Sequence, residues 1–349
     1  MQPEHESNVR EPNCTRTGEK GTGMIEHTLE NEKQEMRQAF CQCLLDLAAD
    51  EERLVLLDAD LMSAMGTKPF QEAYPERTVD CGIQEANMIG TAVGLSLTGK
   101  IPFAHTFASF MSRRAMDQIF ISGAYSKANV KLIGSDPGIT AKTNGGTHMS
   151  FEDMGIMRGI PTMTVLEATD ITMLKWIMGW MARTYGMQYM RLVRKQCVKI
   201  YRDGTDFQIG KAMQVMNQFD AQATIIASGV CVAESIKAAR TLSDEGIGVR
   251  ILDMFTWKPL DNQAVIDAAK QTGAIVTAEN HNVNTGLGAA VSEAVASSCP
   301  VPIEFIGVHD RFGQVGDQDY LAQQYGMTAK DIVEAVRKVV DRKRLYLHR

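Results

Sequence analysis

The sequence lacks the basic excess that marks a nucleic-acid-binding surface. Its 349 residues include 36 Lys and Arg against 42 Asp and Glu, which gives a formal net charge of -6. Nucleic-acid-binding faces concentrate positive charge, so this composition argues against that class of protein. No uninterrupted apolar run approaches the roughly 18 residues of a membrane span, and the polar N-terminus has no apolar signal-peptide core. We therefore predict a protein that binds neither nucleic acid nor membranes.

Cysteine and histidine are sparse, and their arrangement excludes two further classes. The seven Cys are widely spaced along the chain, which is typical of reduced thiols and not of a disulfide framework. The seven His show no metal-ligand spacing. We therefore predict a cytoplasmic protein that itself supplies no metal ligands.

Familiar catalytic fingerprints are missing as well. The sequence has no G-x-G-x-x-G after a predicted strand, no Walker phosphate loop, no metalloprotease helix and no G-x-S-x-G. Motif spacing alone therefore identifies no complete set of catalytic residues in this sequence.

What the sequence does contain is an alternation of short apolar strands with helices. Such alternation is typical of a parallel sheet covered by helices on both faces. We predict an α/β protein of two consecutive domains, each with a mainly parallel sheet flanked by helices. The predicted segments are a disordered tail at 1–29, a first domain at 30–200, a linker at 201–220 and a second domain at 221–349.

Three helices of the first domain are predicted from apolar periodicity. The spacing of Met36, Phe40 and Leu44 predicts a helix that begins near residue 31. Two more helices are predicted at 84–98 and 109–126.

Four segments resemble transketolases and occur in the order of that family across about residues 33–340. Each segment alone is a weak signal, whereas four in order are specific. The segments are Gly82-Ile83-Gln84-Glu85, Thr106-Phe107-Ala108-Ser109-Phe110, Gly145-Gly146-Thr147-His148 and Arg311-Phe312-Gly313. The resemblance implies a pyrimidine-binding domain of thiamine-diphosphate enzymes followed by a transketolase C-terminal domain.

The resemblance also implies that this chain is half of an enzyme. A full-length transketolase has an earlier domain that binds the diphosphate and Mg²⁺, and such a domain needs roughly 250 further residues. The expected partner is a separate N-terminal subunit that carries these ligands, in an α2β2 heterotetramer. The expected cofactor is thiamine diphosphate. The expected reaction transfers a two-carbon ketol unit from a ketose, expected to be a sugar phosphate, to an aldose.

By resemblance, Glu85 activates the cofactor. A carboxyl group bonded to the pyrimidine ring nitrogen promotes the imino tautomer that takes the thiazolium proton. An isolated Glu at a helix start more often only stabilises the helix dipole, but the surrounding motif favours the catalytic role. Phe107 and Phe110 are expected to form an aromatic wall against the pyrimidine, although two Phe at this spacing are commonly core residues. Further residues expected to face the cofactor are Ile83, Asp60 and Arg113, the last at a position where transketolases often carry an aromatic residue.

The substrate site is also expected from the resemblance. His148 is similar to the family's histidine that bonds the donor oxygens near C2, although a lone loop His more often caps a backbone group. Arg37, Ser63 and Arg194 match the sugar-phosphate site, because two guanidinium forks and a hydroxyl suit a phosphate dianion.

Two departures from the family pattern open the identity of the substrate. Ser135 stands where transketolases carry a phosphate-binding His, and Asn144 replaces the Asp that reads hydroxyl stereochemistry. We therefore expect Ser135 and Asn144 among the substrate-binding residues and a terminal anion that is either a phosphate or a sulfonate. His105 and His281 are expected to be structural.

The sequence leaves rival functions open. The β subunit of a 2-oxo acid dehydrogenase has the same two domains and would decarboxylate a 2-oxo acid. The Gly-Thr-His loop and the sugar-phosphate residues favour a transketolase. A deoxyxylulose-phosphate-synthase-like activity normally resides on one long chain. A non-catalytic scaffold of the same fold is disfavoured by Glu85, Phe107, Phe110 and His148. No residue of the second domain is expected to be catalytic.

Overall fold

The computed structural model describes residues 25, 26 and 28–347, with the side chains of 346 and 347 excepted. The helices are α1 (Met36–Asp50), α2 (Met62–Met65), α3 (Lys68–Ala73), α4 (Glu85–Leu97), α5 (Ala108–Arg114), α6 (Asp153–Gly159), α7 (Ile171–Arg183), α8 (Val230–Asp244), α9 (Asn262–Thr272), α10 (Leu287–Ala296), α11 (Gln318–Gln324) and α12 (Ala329–Leu347). The strands are β1 (Leu54–Asp58), β2 (Thr78–Asp80), β3 (Ile101–Phe107), β4 (Lys131–Ser135), β5 (Thr164–Glu167), β6 (Gln188–Leu192), β7 (Met213–Asn217), β8 (Ala223–Ala227), β9 (Val249–Asp253), β10 (Thr256–Lys258), β11 (Ile275–Asn282) and β12 (Ile303–Val308).

The first sheet has the strand order β10-β5-β6-β4-β3-β1-β2 within the described residues. Its strands pair in parallel, apart from β10, which runs antiparallel to β5. Strands β1, β3, β4 and β6 are buried along their whole length, as expected where helices cover both faces of a sheet. Although β10 lies late in the chain, it completes the sheet of the first half.

The second sheet has the order β12-β11-β8-β9-β7 among the residues described. It is parallel except at its edge, where β7 runs antiparallel to β9. Strand β7 lies inside the segment that was predicted to be a linker, 201–220. The sequence signal for this edge strand is weak, because Val215 is its one buried residue. The prediction of an α/β fold with two mainly parallel sheets in consecutive domains is confirmed.

Local boundaries differ from the predictions where side chains interrupt a pattern. The first helix begins at Met36 and not near residue 31, because Glu35 and Gln38 form a reciprocal capping box there. The helix predicted at 109–126 is split, since α5 ends at Arg114 and a π-helical turn follows at Gln118–Tyr125. Strand β3 is not among the predicted strands, because Pro102 and His105 interrupt its apolar run.

The predicted tail at 1–29 lies largely outside the described residues. Within its described part, Ile25 is buried and forms an antiparallel bridge with Tyr201. The four segment boundaries predicted from sequence stay predictions.

The carboxyl ends of β1, β3 and β4 meet at one edge of the first sheet, because these neighbouring strands are parallel. Such edges are where α/β proteins place ligand sites. The second domain reaches the same edge through Asn280, at the end of β11. Its amide nitrogen donates to Pro137 O at 2.9 Å, and its amide oxygen accepts from Ile139 N at 3.0 Å.

Candidate functional site

Glu85 is the first residue of α4 and is only 3% exposed. Its carboxylate accepts a hydrogen bond from Arg114 Nη1 at 3.0 Å. The Arg114 side chain is about half exposed, and its guanidinium carbon lies 3.9 Å from the centre of the Phe110 ring. Arg114, at the end of α5, is therefore the cation that faces Glu85, although the sequence had singled out its neighbour Arg113.

An aromatic cluster lies beside this pair. The Phe107 and Phe110 ring centres are 5.8 Å apart, and the His148 ring packs edge-on at 5.8 Å from Phe107 and 5.1 Å from Phe110. Phe107 ends β3 while Phe110 lies in the first turn of α5. Residues from a strand, a helix and a loop thus converge in one cluster of three rings.

The His148 ring is held neutral at pH 7. Burial, and then the charges of Arg114 and Arg113, lower the pKa of His148 below its ordinary value. Its Nδ1 is 2.9 Å from the Thr147 hydroxyl oxygen. A neutral imidazole has one donor and one acceptor nitrogen, which suits contacts with sugar hydroxyl and carbonyl oxygens.

Arg113 positions the loop that carries His148. Its Nη2 donates to Thr147 O at 2.8 Å, and its Nε lies 3.3 Å from Glu152 Oε1. Arg113 therefore faces the loop at 147–152, whereas the sequence had placed it in the cofactor pocket.

The second domain packs against the other side of this loop. A Cβ atom added at Gly146 would lie 2.3 Å from Gly313 O, so the two backbones touch where any side chain would separate them. Between them and Arg113 lies a cavity of about 490 Å³ that also involves Arg311. The Arg311-Phe312-Gly313 turn is thus an interdomain contact.

Arg37 and Arg194 converge on one carbonyl group. Arg37 Nη1 donates to Ala64 O at 2.8 Å, and Arg194 Nη1 donates to the same atom at 3.2 Å. Ala64 follows Ser63, which is exposed. Arg194 also pairs with Asp136 and lies 4.8 Å from the Phe107 ring centre. Arg37 and Arg194 therefore meet at the residue that follows Ser63, and Arg194 also contacts the aromatic cluster.

The remaining expected site residues occupy varied surroundings. Ile83 is 68% exposed, and Asp60 and Asn144 are also exposed. The Asp60 backbone has a left-handed φ of 61°. Ser135 differs, because it is fully buried and its hydroxyl oxygen lies 3.0 Å from His105 Nε2. In this arrangement Ser135 lies beneath the surface of the site, against the expectation of a direct substrate contact.

A buried ionic network that the sequence did not indicate joins the two domains. Arg191 is fully buried and bonds Asp153 at 3.2 Å, Glu167 at 3.0 Å and Asn280 O at 3.3 Å. Glu167 also accepts from Ser228 Oγ at 2.6 Å. These residues are distant in sequence, so no local pattern could have revealed them.

The residues around Glu85 fit the pyrimidine part of a thiamine cofactor. A flat heteroaromatic ring gains from contact with phenyl rings, and a buried carboxyl group can bond a ring nitrogen. Within the described residues no group of three or more His, Cys, Asp or Glu is placed to hold a metal ion. None of the described helices combines the length and apolar character needed to cross a membrane.

Comparison with known proteins gives two family matches. The family model described as transketolase, pyrimidine binding domain, matches residues 32–198, and that described as transketolase, C-terminal domain, matches residues 210–332.

Individual proteins cover the chain to similar extents. A 6-deoxy-6-sulfo-D-fructose transketolase subunit of Clostridium sp. is 47% identical over 88% of this chain and 95% of its own. Human transketolase is 35% identical over 87% of this chain, which spans 49% of the human protein. A solved structure described as a split gene transketolase, inactive beta4 tetramer, superimposes with a TM-score of 0.82 at 37% identity, over 88% of this chain and 98% of that one.

Proposed function

The chain belongs to the transketolase family, and from that premise we propose that it is the half of a two-chain transketolase that activates the cofactor. The proposal rests mainly on the convergence of buried Glu85 with Phe107, Phe110 and His148. Transketolases depend on thiamine diphosphate, which when bound supplies the nucleophilic carbon for ketol transfer. The residues of this chain then bind and orient the cofactor and the donor, and they hold the proton at the pyrimidine ring nitrogen.

Glu85 holds the proton that the pyrimidine ring nitrogen shares. Its place in the first turn of α4 fixes the carboxyl group, and its burial keeps water from competing for it. The Arg114 guanidinium bonds the Glu85 carboxyl group at 3.0 Å and covers the Phe110 ring. Cofactor binding therefore requires Arg114 to move aside, and its half-exposed side chain has room to do so.

His148 binds the donor near its reacting carbon. Because the ring is neutral at pH 7, it can donate to a ketose oxygen without adding a second positive charge beside Arg114. Its edge-on packing against both Phe rings fixes its orientation.

The pair of arginines selects a donor with a terminal anion. Arg37 and Arg194 remain 25% and 15% exposed at the side chain, so both guanidinium groups can reach a ligand. Two guanidinium groups, each with a fork of N–H donors, favour a tetrahedral oxyanion. The Clostridium relative is described as acting on 6-deoxy-6-sulfo-D-fructose, so we propose a sulfonated ketose as the donor and a sugar phosphate as the alternative.

We further propose that a separate N-terminal subunit supplies the ligands for Mg²⁺ and the diphosphate, in a cytoplasmic α2β2 heterotetramer. Two relatives support a two-chain enzyme, since this chain covers 95% of a transketolase subunit and 98% of a split-gene transketolase chain. The latter structure is described as an inactive tetramer of one subunit type. Cysteines 41, 43, 81, 197, 231 and 299 are free thiols, which supports a reducing compartment.

The test of the Glu85 role is Glu85→Gln in the assembled two-chain enzyme. Glutamine keeps the shape but cannot share the proton, so turnover with 6-deoxy-6-sulfo-D-fructose and an aldose should fall by about 10²–10⁴-fold. Glu52→Gln is the matched control, because Glu52 is exposed. Turnover of the Glu85→Gln enzyme within a factor of two of the control would refute the assignment. Pyruvate-dependent dye reduction without ketol transfer would favour the 2-oxo acid dehydrogenase alternative.

A further inference from the structure

His105 lies at the centre of a buried polar chain that crosses three strands. Its Nδ1 is 2.6 Å from Asp58 Oδ2 on β1, and its Nε2 is 3.0 Å from Ser135 Oγ on β4. All three side chains are 0% exposed. His105 is the register partner of Asp58, and the paired ends of β3 and β4 bring Ser135 within reach.

A histidine at this position is an unusual choice for a strand core. Burying polar side chains costs free energy unless every group is bonded, and a fully bonded buried network fixes the geometry of its surroundings. Here both ring nitrogens are bonded, each to a different neighbouring strand. The arrangement therefore fixes the spacing between the ends of β1 and β4.

On the Asp58 side, this hydrogen-bonded network leads to Ala64 O, which accepts hydrogen bonds from both arginines. The second carboxylate oxygen of Asp58 accepts a hydrogen bond from the backbone N–H of Leu61. Leu61 precedes α2, and within α2 Ala64 O accepts from Arg37 and Arg194.

On the Ser135 side, the network leads to Arg194 through Asp136. Ser135 is followed by Asp136, whose backbone has a left-handed φ of 54° and whose carboxylate pairs with Arg194. A third contact concerns α1, which carries Arg37. Phe40, one turn after Arg37, packs with its ring centre 6.5 Å from that of His105.

We propose that His105 is a positioning residue that sets the spacing of Arg37 and Arg194 and so determines affinity for the terminal anion of the donor. This inference rests on the proposed function, because it takes the two arginines to be the anion site. His105 itself is buried and does not touch the substrate.

Two variants each keep one of the two hydrogen bonds of His105 and remove the other. In His105→Asn the side-chain amide takes the place of Nδ1 and keeps the bond to Asp58, whereas in His105→Gln it reaches the place of Nε2 and keeps the bond to Ser135. His309→Gln is the matched control, because His309 is exposed in the second domain.

The assay uses the assembled two-chain enzyme with an aldose acceptor and with 6-deoxy-6-sulfo-D-fructose or, in parallel, uncharged D-fructose as donor. Losing one of two hydrogen bonds should raise KM for the sulfonated donor about tenfold, equal to about 1.4 kcal/mol, with kcat within about twofold. Values for D-fructose should not change. Equal effects on both donors, or none on either, would overturn the proposal, since a merely structural role does not discriminate between them.

A second readout separates failure of this inference from failure of the proposed function. Calorimetry measures the Kd of the sulfonated donor for the two-chain complex assembled without thiamine diphosphate, which cannot cleave the donor, for wild type, Arg194→Lys and both His105 variants. If Arg194→Lys binds as tightly as wild type, the arginine anion site is wrong, and the inference is overturned with it. If Arg194→Lys weakens binding while both His105 variants bind as wild type does, the anion site stands and only the role of His105 is overturned.

Discussion

Arg191→Met is expected to destabilise the protein more than any surface change. Arg191 is fully buried and bonds Asp153, Glu167 and the Asn280 carbonyl oxygen. Methionine fills similar space but leaves two buried carboxylates without their cation. Breaking one buried ion pair costs about 3–5 kcal/mol. With two carboxylates affected we expect about 5 kcal/mol, a large share of the roughly 5–15 kcal/mol that typically stabilises a protein.

Urea unfolding followed by circular dichroism measures this loss. Arg183→Met, at the exposed end of α7, is the control and should change the free energy of unfolding by less than about 0.5 kcal/mol. Adding Asp153→Asn and Glu167→Gln to Arg191→Met removes the stranded charges and should restore part of the stability. A loss below about 1 kcal/mol for Arg191→Met alone would refute the view that this network holds the domains together.

Three further predictions concern the domain contact at Gly146, the affinity for the cofactor and the pH dependence of stability. Gly146→Ala places a Cβ against the backbone of the second domain, so kcat/KM should fall at least about tenfold, whereas Gly159→Ala, which meets no atom within 4 Å, should retain activity. Arg114→Met frees Glu85 from a half-exposed ion pair worth about 0.5–1 kcal/mol, so the apparent affinity of the assembled enzyme for thiamine diphosphate should rise about two- to fivefold. A weaker affinity would show that Arg114 helps to bind the cofactor. Burial raises the pKa of Glu279 to about 8, so the folded state keeps a proton that the unfolded state loses above pH ~4.3, and stability falls as pH rises toward 8. Glu279→Gln should flatten that fall between about pH 4.3 and 8 in urea unfolding, and an unchanged slope would contradict the assignment.

The residues that converge around Glu85 could be named from the sequence, because they lie in short motifs. Glu85 follows a Gly-Ile-Gln run at a helix start, and Phe107 and Phe110 are three residues apart, so both patterns are local. The α/β fold was predictable for a similar reason, since buried parallel strands appear as continuous apolar runs.

What could not be predicted depends on pairs that are distant in sequence. Arg114 meets Glu85 across 29 residues, and Arg191 reaches the Asn280 carbonyl across 89. His105 was expected to be structural because its position in the sequence could not be tied to any chemistry, and its partners Asp58 and Ser135 lie on other strands. Such contacts follow from strand order and register, which periodicity does not determine.

We propose that this chain is half of an enzyme and that Glu85 is its activating group. The most direct test adds purified N-terminal transketolase subunit in steps to a fixed amount of this chain, with thiamine diphosphate, Mg²⁺, 6-deoxy-6-sulfo-D-fructose as donor and an aldose as acceptor. Ketol transfer should be undetectable without the partner and should rise to a plateau at one partner per chain, as an α2β2 assembly requires. Ketol transfer by this chain alone would contradict the claim.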